Sequence, residues 1–249
     1  MHRAILLVAV SVVAVQASAA SPSNDAHTLA RDLFEQLIEI KTTESGVGST
    51  PAAQAMAERF RGGGFAPEDI HVVGPNERKQ NMVVRLRGNG RKKPVLLIGH
   101  LDVVEALRED WTTDPFQFVE KDGYFYGRGT QDMKDGIAIM ATTLLRYKRE
   151  GLRPDRDIIL ALTADEEGGN ANGVEWLLQN RRELVDAEFV LNHDGAGVTL
   201  DGGKAIQMEL TASEKVYADF DLTVTNAGGH SSVPERDNAI YALAYALEK

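Results

Sequence analysis

Four short motifs concentrate the residues of this chain that can do chemistry. They are His100 and Asp102 in GHLDVV, Asp132 in YGRGTQDMKDG, Glu166 and Glu167 in TADEEGG, and Asp194 in LNHDGAG. Each ends or follows an apolar, strand-like run. Carboxylates and an imidazole supply oxygen and nitrogen donors, and the chain has no cysteine to supply sulfur. That donor set suits a hydrolytic metal site, with zinc as the first candidate and two ions sharing a carboxylate as the arrangement.

Spacing within the motifs adds detail. His100 and Asp102 stand two apart at a strand end, so both side chains leave on one face. One ring nitrogen of His100 can bind a metal while Asp102 accepts the proton on the other, which fixes the tautomer. Asp132 lies in a glycine-flanked loop before a helix, and its two oxygens suit bridging two cations. Asp135 is the alternative, although its place in the first helical turn also fits stabilisation by the helix dipole. Glu166 and Glu167 are adjacent, so in an extended segment one can ligate a metal while the other faces its water. Neighbouring acids near a core are costly unless a cation neutralises them. Asp194 closes a further strand. His193 beside it is the competing ligand, and the need for a carboxylate on each metal favours Asp194. His230 follows Ala-Gly-Gly, a flexible lead that suits a group reaching into a site. Taken singly, each motif has a plainer reading: a surface histidine, an N-cap, a solvated acidic loop or a turn.

The elements that must position these groups alternate in type. Residues 25–41 carry Leu29, Leu33, Leu37 and Ile40 on one helical face. Residues 51–60 predict a second helix, opened by Pro51 and closed by Gly62-Gly63-Gly64. Residues 81–87 and 94–99 read as strands, and 116–126 as a hairpin turning at Asp122-Gly123. Then come a helix over 137–147, a strand over 157–163, a helix over 173–182 and a strand over 188–192. The pattern predicts an α/β fold with a mixed, mostly parallel sheet flanked by helices. The candidate ligands fall at strand C-terminal ends, where such sheets collect ligands. From residue 215 the texture changes. Residues 216–225 alternate apolar and polar positions as a half-solvated strand does, and 238–247 read as a helix. We therefore divide the chain into residues 1–19, a catalytic domain over 20–214, and the start of an α+β lid or dimerisation domain over 215–249.

Composition bounds the partners. The chain has 249 residues, 43% hydrophobic and 26% charged, enough for a sizeable core. A net charge of -10 argues against nucleic-acid binding, which needs a basic face. Met1-His2-Arg3, an apolar run over 4–15 and Ala17-Ser18-Ala19 read as a secretory signal peptide, too short for a stable membrane span. Export to a periplasm or the medium, with cleavage near Ala19, is expected.

Together the motifs resemble the di-zinc metallopeptidase family of aminoacylase, carboxypeptidase S, glutamate carboxypeptidase and succinyl-diaminopimelate desuccinylase. The carboxypeptidase S-like branch is the nearest in look. GHLDVV, GRGTQDMKDG, ADEEGG and GGHSSVP stand in family order, from about residue 29 to the C-terminus. The resemblance implies hydrolysis of an amide bond in a short peptide or an N-acyl amino acid by a water bridging two Zn2+ ions, with Co2+ or Mn2+ as substitutes. It implies His100, Asp132, Glu167 and Asp194 as metal ligands, Asp132 bridging and Asp102 supporting His100. Glu166 is then the general base, and His230 reaches the partner subunit's site in a homodimer and steadies the oxyanion. LNHDGAG departs from the family's commoner Asn-Glu-Gly-Gly. The family's further histidine ligand lies beyond residue 249, so the chain reads as truncated, and these 249 residues alone are expected to bind zinc poorly and hydrolyse little. The alternative reading is a catalytically silent metal- or peptide-binding fragment. A processive aminopeptidase of similar fold is disfavoured by GGHSSVP.

Overall fold

Short runs of aliphatic residues build a five-stranded sheet in the computed structural model, which describes residues 24–194, 197–209, 211, 213, 218–230, 232–233 and 236–248. The signal-peptide reading lies outside the described residues. In chain order the strands are β1 (Ile70–Val73), β2 (Asn81–Leu86), β3 (Val95–His100), β6 (Ile158–Thr163) and β7 (Phe189–Asn192). Their spatial order is β1-β2-β6-β3-β7. β1 and β6 each run antiparallel to β2, while β6, β3 and β7 run parallel. This is the mixed α/β sheet expected. β4 (Val119–Lys121) and β5 (Tyr124–Tyr126) form the hairpin expected at Asp122-Gly123, where both residues have positive φ (54° and 80°).

Helices cover both faces. α1 (Asn24–Glu39), α2 (Thr50–Gly62) and α3 (Lys134–Arg149) lie on one, and α4 (Gly173–Asn180) and α5 (Arg182–Val185) on the other. The two-residue period of a strand sorts the packing. Met82, Val84, Leu86, Leu160 and Leu162 meet Leu33, Leu37, Met56, Phe60 and Leu144. Their neighbours Val83, Ile159 and Ala161 meet Leu177, Leu184 and Val185. Because β6, β3 and β7 are parallel, their C-terminal ends share one edge, with His100 opposite Thr163 and Ile98 opposite Asn192. The loops that follow carry the candidate ligands.

The chain divides into two compact units, Met1–Val198 and Thr199–Lys249. β8 (Val198–Asp201) and β9 (Lys204–Met208) flank Gly202-Gly203, a hairpin the sequence reading missed, as it missed β1. α6 (Ala239–Leu247) is capped by Asn238, whose side chain accepts from the amides of Ile240 and Tyr241. The strand expected over 216–225 is not formed: residues 218–225 carry no regular structure, and 216–217 lie outside the described residues. Its alternating Phe220 and Leu222 are exposed. A strand needs a neighbour to share its backbone hydrogen bonds, and a period of two does not supply one. No helix among the described residues is long and apolar enough to cross a membrane.

Candidate metal centre

His100 is the last residue of β3 and is only 3% exposed. Its Nδ1 stands 2.9 Å from the backbone carbonyl of Asp102. A carbonyl only accepts, so Nδ1 carries a proton, and in the neutral ring Nε2 is the nitrogen left with a lone pair. Around Nε2 stand Asp132 Oδ1 at 2.9 Å, Asp194 Oδ2 at 3.7 Å and Glu166 Oε2 at 3.9 Å. Two groups result, His100 with Glu166 and Asp194, and His100 with Asp132 and Glu167, each with its ligand atoms within 4.8 Å of one another. The donors are carboxylate oxygens and one imidazole nitrogen, a set that fits zinc or a neighbouring divalent ion.

The two groups share one ring, and its Nδ1 is already engaged. One lone pair serves one cation. Among these residues, therefore, only one ion at a time can take the imidazole, and any second is held by oxygen.

Two expectations are corrected in detail. The Asp102 carboxylate does not receive the His100 proton, because its Oδ1 lies 3.8 Å from Nδ1 and its Oδ2 accepts the Glu167 amide at 3.0 Å. The main chain of Asp102 orients the ring instead, and Oδ1 is buried without a hydrogen-bond partner. Glu166 and Glu167 do not point apart. Both approach His100, because Asp165 has φ 60° and Gly168 and Gly169 have φ 143° and 126°, which bends the segment. Extended-chain alternation does not hold in a bend.

Asp132 precedes α3 and is not consumed as its cap, since the N-cap residue is Met133 and no side chain caps it. Asp135 belongs to neither ligand group; burial raises its pKa. His193 also stands outside both groups. Its ring packs on Gly136 of α3, where an added Cβ would meet Cδ2 at 2.3 Å. That leaves Asp194 as the residue of LNHDGAG nearest His100. His230 belongs to the second unit, where its Nδ1 accepts from Ser232.

Charge crowding and burial shift the site's pKa values upward. Burial opposes a proton on His100, but Asp102, Glu166 and Asp132 outweigh it and raise the ring's pKa. Burial first, then neighbouring carboxylates, raises the pKa of Glu166 and Glu167. A divalent cation would relieve this crowding of negative charge.

Two hollows flank the cluster and share Val104 and Glu167. The larger, about 700 Å³, is walled by Trp111, Arg128, Asp132, His193 and Asp194, and suits a small ligand. The smaller, about 470 Å³, is walled by Glu44, Lys79, Asp102, Glu105 and Asp165.

Residues 96–248, more than half of the chain, match the family model described as Peptidase family M20/M25/M40. The chain belongs to peptidase family M20/M25/M40. Among its relatives in the family, a probable carboxypeptidase S-like 2 of Dictyostelium discoideum is 37% identical over 164 residues, 63% of this chain and 31% of that protein. The succinyl-diaminopimelate desuccinylase of Delftia acidovorans is 38% identical over 160 residues, 62% of this chain and 41% of that protein. The matched part of the chain thus spans about three to four tenths of the length of these curated relatives. An M20 family metallo-carboxypeptidase from Sulfolobus solfataricus superposes with a TM-score of 0.57 at 19% identity, covering 71% of this chain and 38% of that one, which shows a shared fold. These relatives are named as a carboxypeptidase S-like protein and a desuccinylase, and this chain carries candidate ligand groups for a metal-dependent enzyme of the peptidase family.

Sequence reasoning missed the supports of the site. Lys134 of the DMKDG motif is fully buried, and its Nζ donates to the carbonyls of Leu37 at 2.8 Å and Ile40 at 3.0 Å, tying the end of α1 to the start of α3. Burial lowers its pKa to about 7, against the pull of Asp102. Thr42 Oγ1 donates to the Leu101 carbonyl beside His100 at 2.7 Å. A lysine between a candidate ligand and a helical run was the available signal.

Proposed function

We propose that the protein containing this chain hydrolyses an amide bond in a short peptide or an N-acyl amino acid, using two Zn2+ ions. The convergence of four carboxylates on the His100 ring, beside a cleft of about 700 Å³, is the observation that carries the reading. The named activities of the M20 relatives support it. His100, Asp132, Glu167 and Asp194 would hold the metal. When bound, the cation polarises the amide carbonyl and makes water a better acid.

The chain's own groups do the rest. The Asp102 carbonyl holds the His100 ring in one tautomer, and the Asp102 carboxylate holds the Glu167 amide. Glu166 accepts the proton of the attacking water and passes it to the departing amine nitrogen. Its raised pKa brings it toward the operating range of such a base. His230 donates a hydrogen bond to the oxyanion from the second unit of a partner subunit in a homodimer. Residues 1–19 direct export and are removed.

Paired substitutions test the roles. Glu166→Gln is expected to keep zinc and lose about 10²–10⁴-fold in turnover on a panel of dipeptides and N-acyl amino acids. Glu167→Gln is expected to lose zinc first. Full turnover by Glu166→Gln sinks the base assignment, and loss of zinc by that variant makes Glu166 a ligand.

A further inference from the structure

We propose that Lys79 is a positioning residue for the metal centre: through Asp165 it fixes the bend from which Glu166 and Glu167 reach the cation. The inference rests on the metal-site reading above. Asp165 is 3% exposed and adopts φ 60°, a left-handed conformation uncommon outside glycine. Its carboxylate is engaged on both oxygens. Oδ1 receives the Lys79 ammonium, and Oδ2 accepts the Ala171 amide at 2.8 Å. Gly169 presses against the same carboxylate with φ 126°, and a Cβ there would meet Oδ2 at 2.4 Å. The turn 165–171 is thus wound around one acidic side chain. On its other flank the Glu167 amide is held by Asp102. The two glutamates sit between these clamps.

Lys79 anchors the first clamp to the sheet. It lies in the connection from β1 to β2, and β2 is the hydrogen-bonded neighbour of β6, whose end launches the bend. Its side chain is 10% exposed and also meets Glu44. The Lys79 amide is fixed by Asn76 Oδ1 at 3.0 Å, so the stem is held at its root. With its ammonium committed to two carboxylates, Lys79 is a strut and not a free anion-binding group. Metal ligands tolerate displacements of only about 0.5 Å, so a bend released from its strut presents Glu167 poorly. Loss of a supporting partner of this kind costs about 10–100-fold in metal affinity.

The test uses the whole protein and compares Lys79→Met, Lys79→Arg and the pair Lys79→Met with Asp165→Asn. The pair removes both charges, so no carboxylate is left buried alone, and the asparagine still accepts from Ala171. Zn2+ is titrated calorimetrically, and the visible spectrum of the Co2+-loaded protein reports ligand geometry. Lys79→Met is expected to weaken Zn2+ binding by about tenfold or more and to change the Co2+ spectrum. Lys79→Arg is expected to restore most of both, and the pair to stay weakened. If Lys79→Met fails to fold, the pair carries the test. A folded variant lacking the strut but matching the parent in Zn2+ affinity and Co2+ spectrum overturns the proposal alone. A parent that takes up no Zn2+ overturns the metal-site reading and this proposal with it.

Discussion

Replacing Lys134 by methionine separates two costs that one buried ammonium imposes. Burial lowers its pKa from 10.5 to about 7. Below about pH 7 both the folded and unfolded chains are protonated, and folding carries the full penalty of burying the charge. Above about 10.5 both are neutral and the penalty is gone. Between these limits the unfolded chain binds more protons, so stability rises with pH. At about 1.36 kcal/mol for each pH unit, the whole window is worth about 5 kcal/mol. Methionine keeps the length of the stem and removes the titration. It also strips a donor from the Leu37 and Ile40 carbonyls, which costs about 1–3 kcal/mol at every pH. The two effects differ in form, one a slope and the other an offset. Urea unfolding of the metal-stripped parent and variant at pH 7.5, 8.5 and 9.5 reads both. Across that range the parent should gain about 2.5 kcal/mol more than Lys134→Met. A difference between the two proteins that stays constant with pH refutes the reasoning.

Because the pKa values of His100, Glu166 and Glu167 are all raised, protons compete with a cation for the site more than at ordinary groups. Zinc affinity should therefore fall as pH drops, and calorimetry near pH 6 in buffers of different ionisation enthalpy should register proton release; none would count against the ligand set. Gly136→Ala drives a methyl into His193 Cδ2, an approach of 2.3 Å, and should displace the adjoining Asp194. A zinc isotherm unchanged by Gly136→Ala would show that Asp194 does not depend on that contact. Leu37→Ala empties a fully buried position between α1 and the sheet and should cost about 2–5 kcal/mol in urea unfolding, with a smaller loss arguing for collapse of the cavity.

Much of the fold was legible because its elements obey simple periods. Leu29, Leu33 and Leu37 marked α1, and unbroken aliphatic runs marked β3 and β6. β1 escaped because His71 interrupts its four residues, whereas β7, of equal length, opens on the unbroken apolar run Phe-Val-Leu. The segment 216–225 misled for the opposite reason: alternation specifies a face but not a partner. At the site, the residue types that gather were readable from motif spacing. The manner of their gathering was not. Spacing cannot distinguish the Asp102 carbonyl from its carboxylate as the acceptor for His100. Nor can it foresee that φ 60° at Asp165 turns both following glutamates to one side. The supports Lys79 and Lys134 act through contacts 86 and more than 90 residues away in sequence, and no local pattern announces them.

The single available nitrogen of His100 has a consequence for metal selectivity. A seat that includes imidazole follows the usual rise of affinity from manganese through cobalt to copper and zinc more steeply than an all-oxygen seat does. A cation seated on the His100 ring should therefore hold its place against a manganese-rich pool, and replacing that ring by an oxygen donor should flatten the preference.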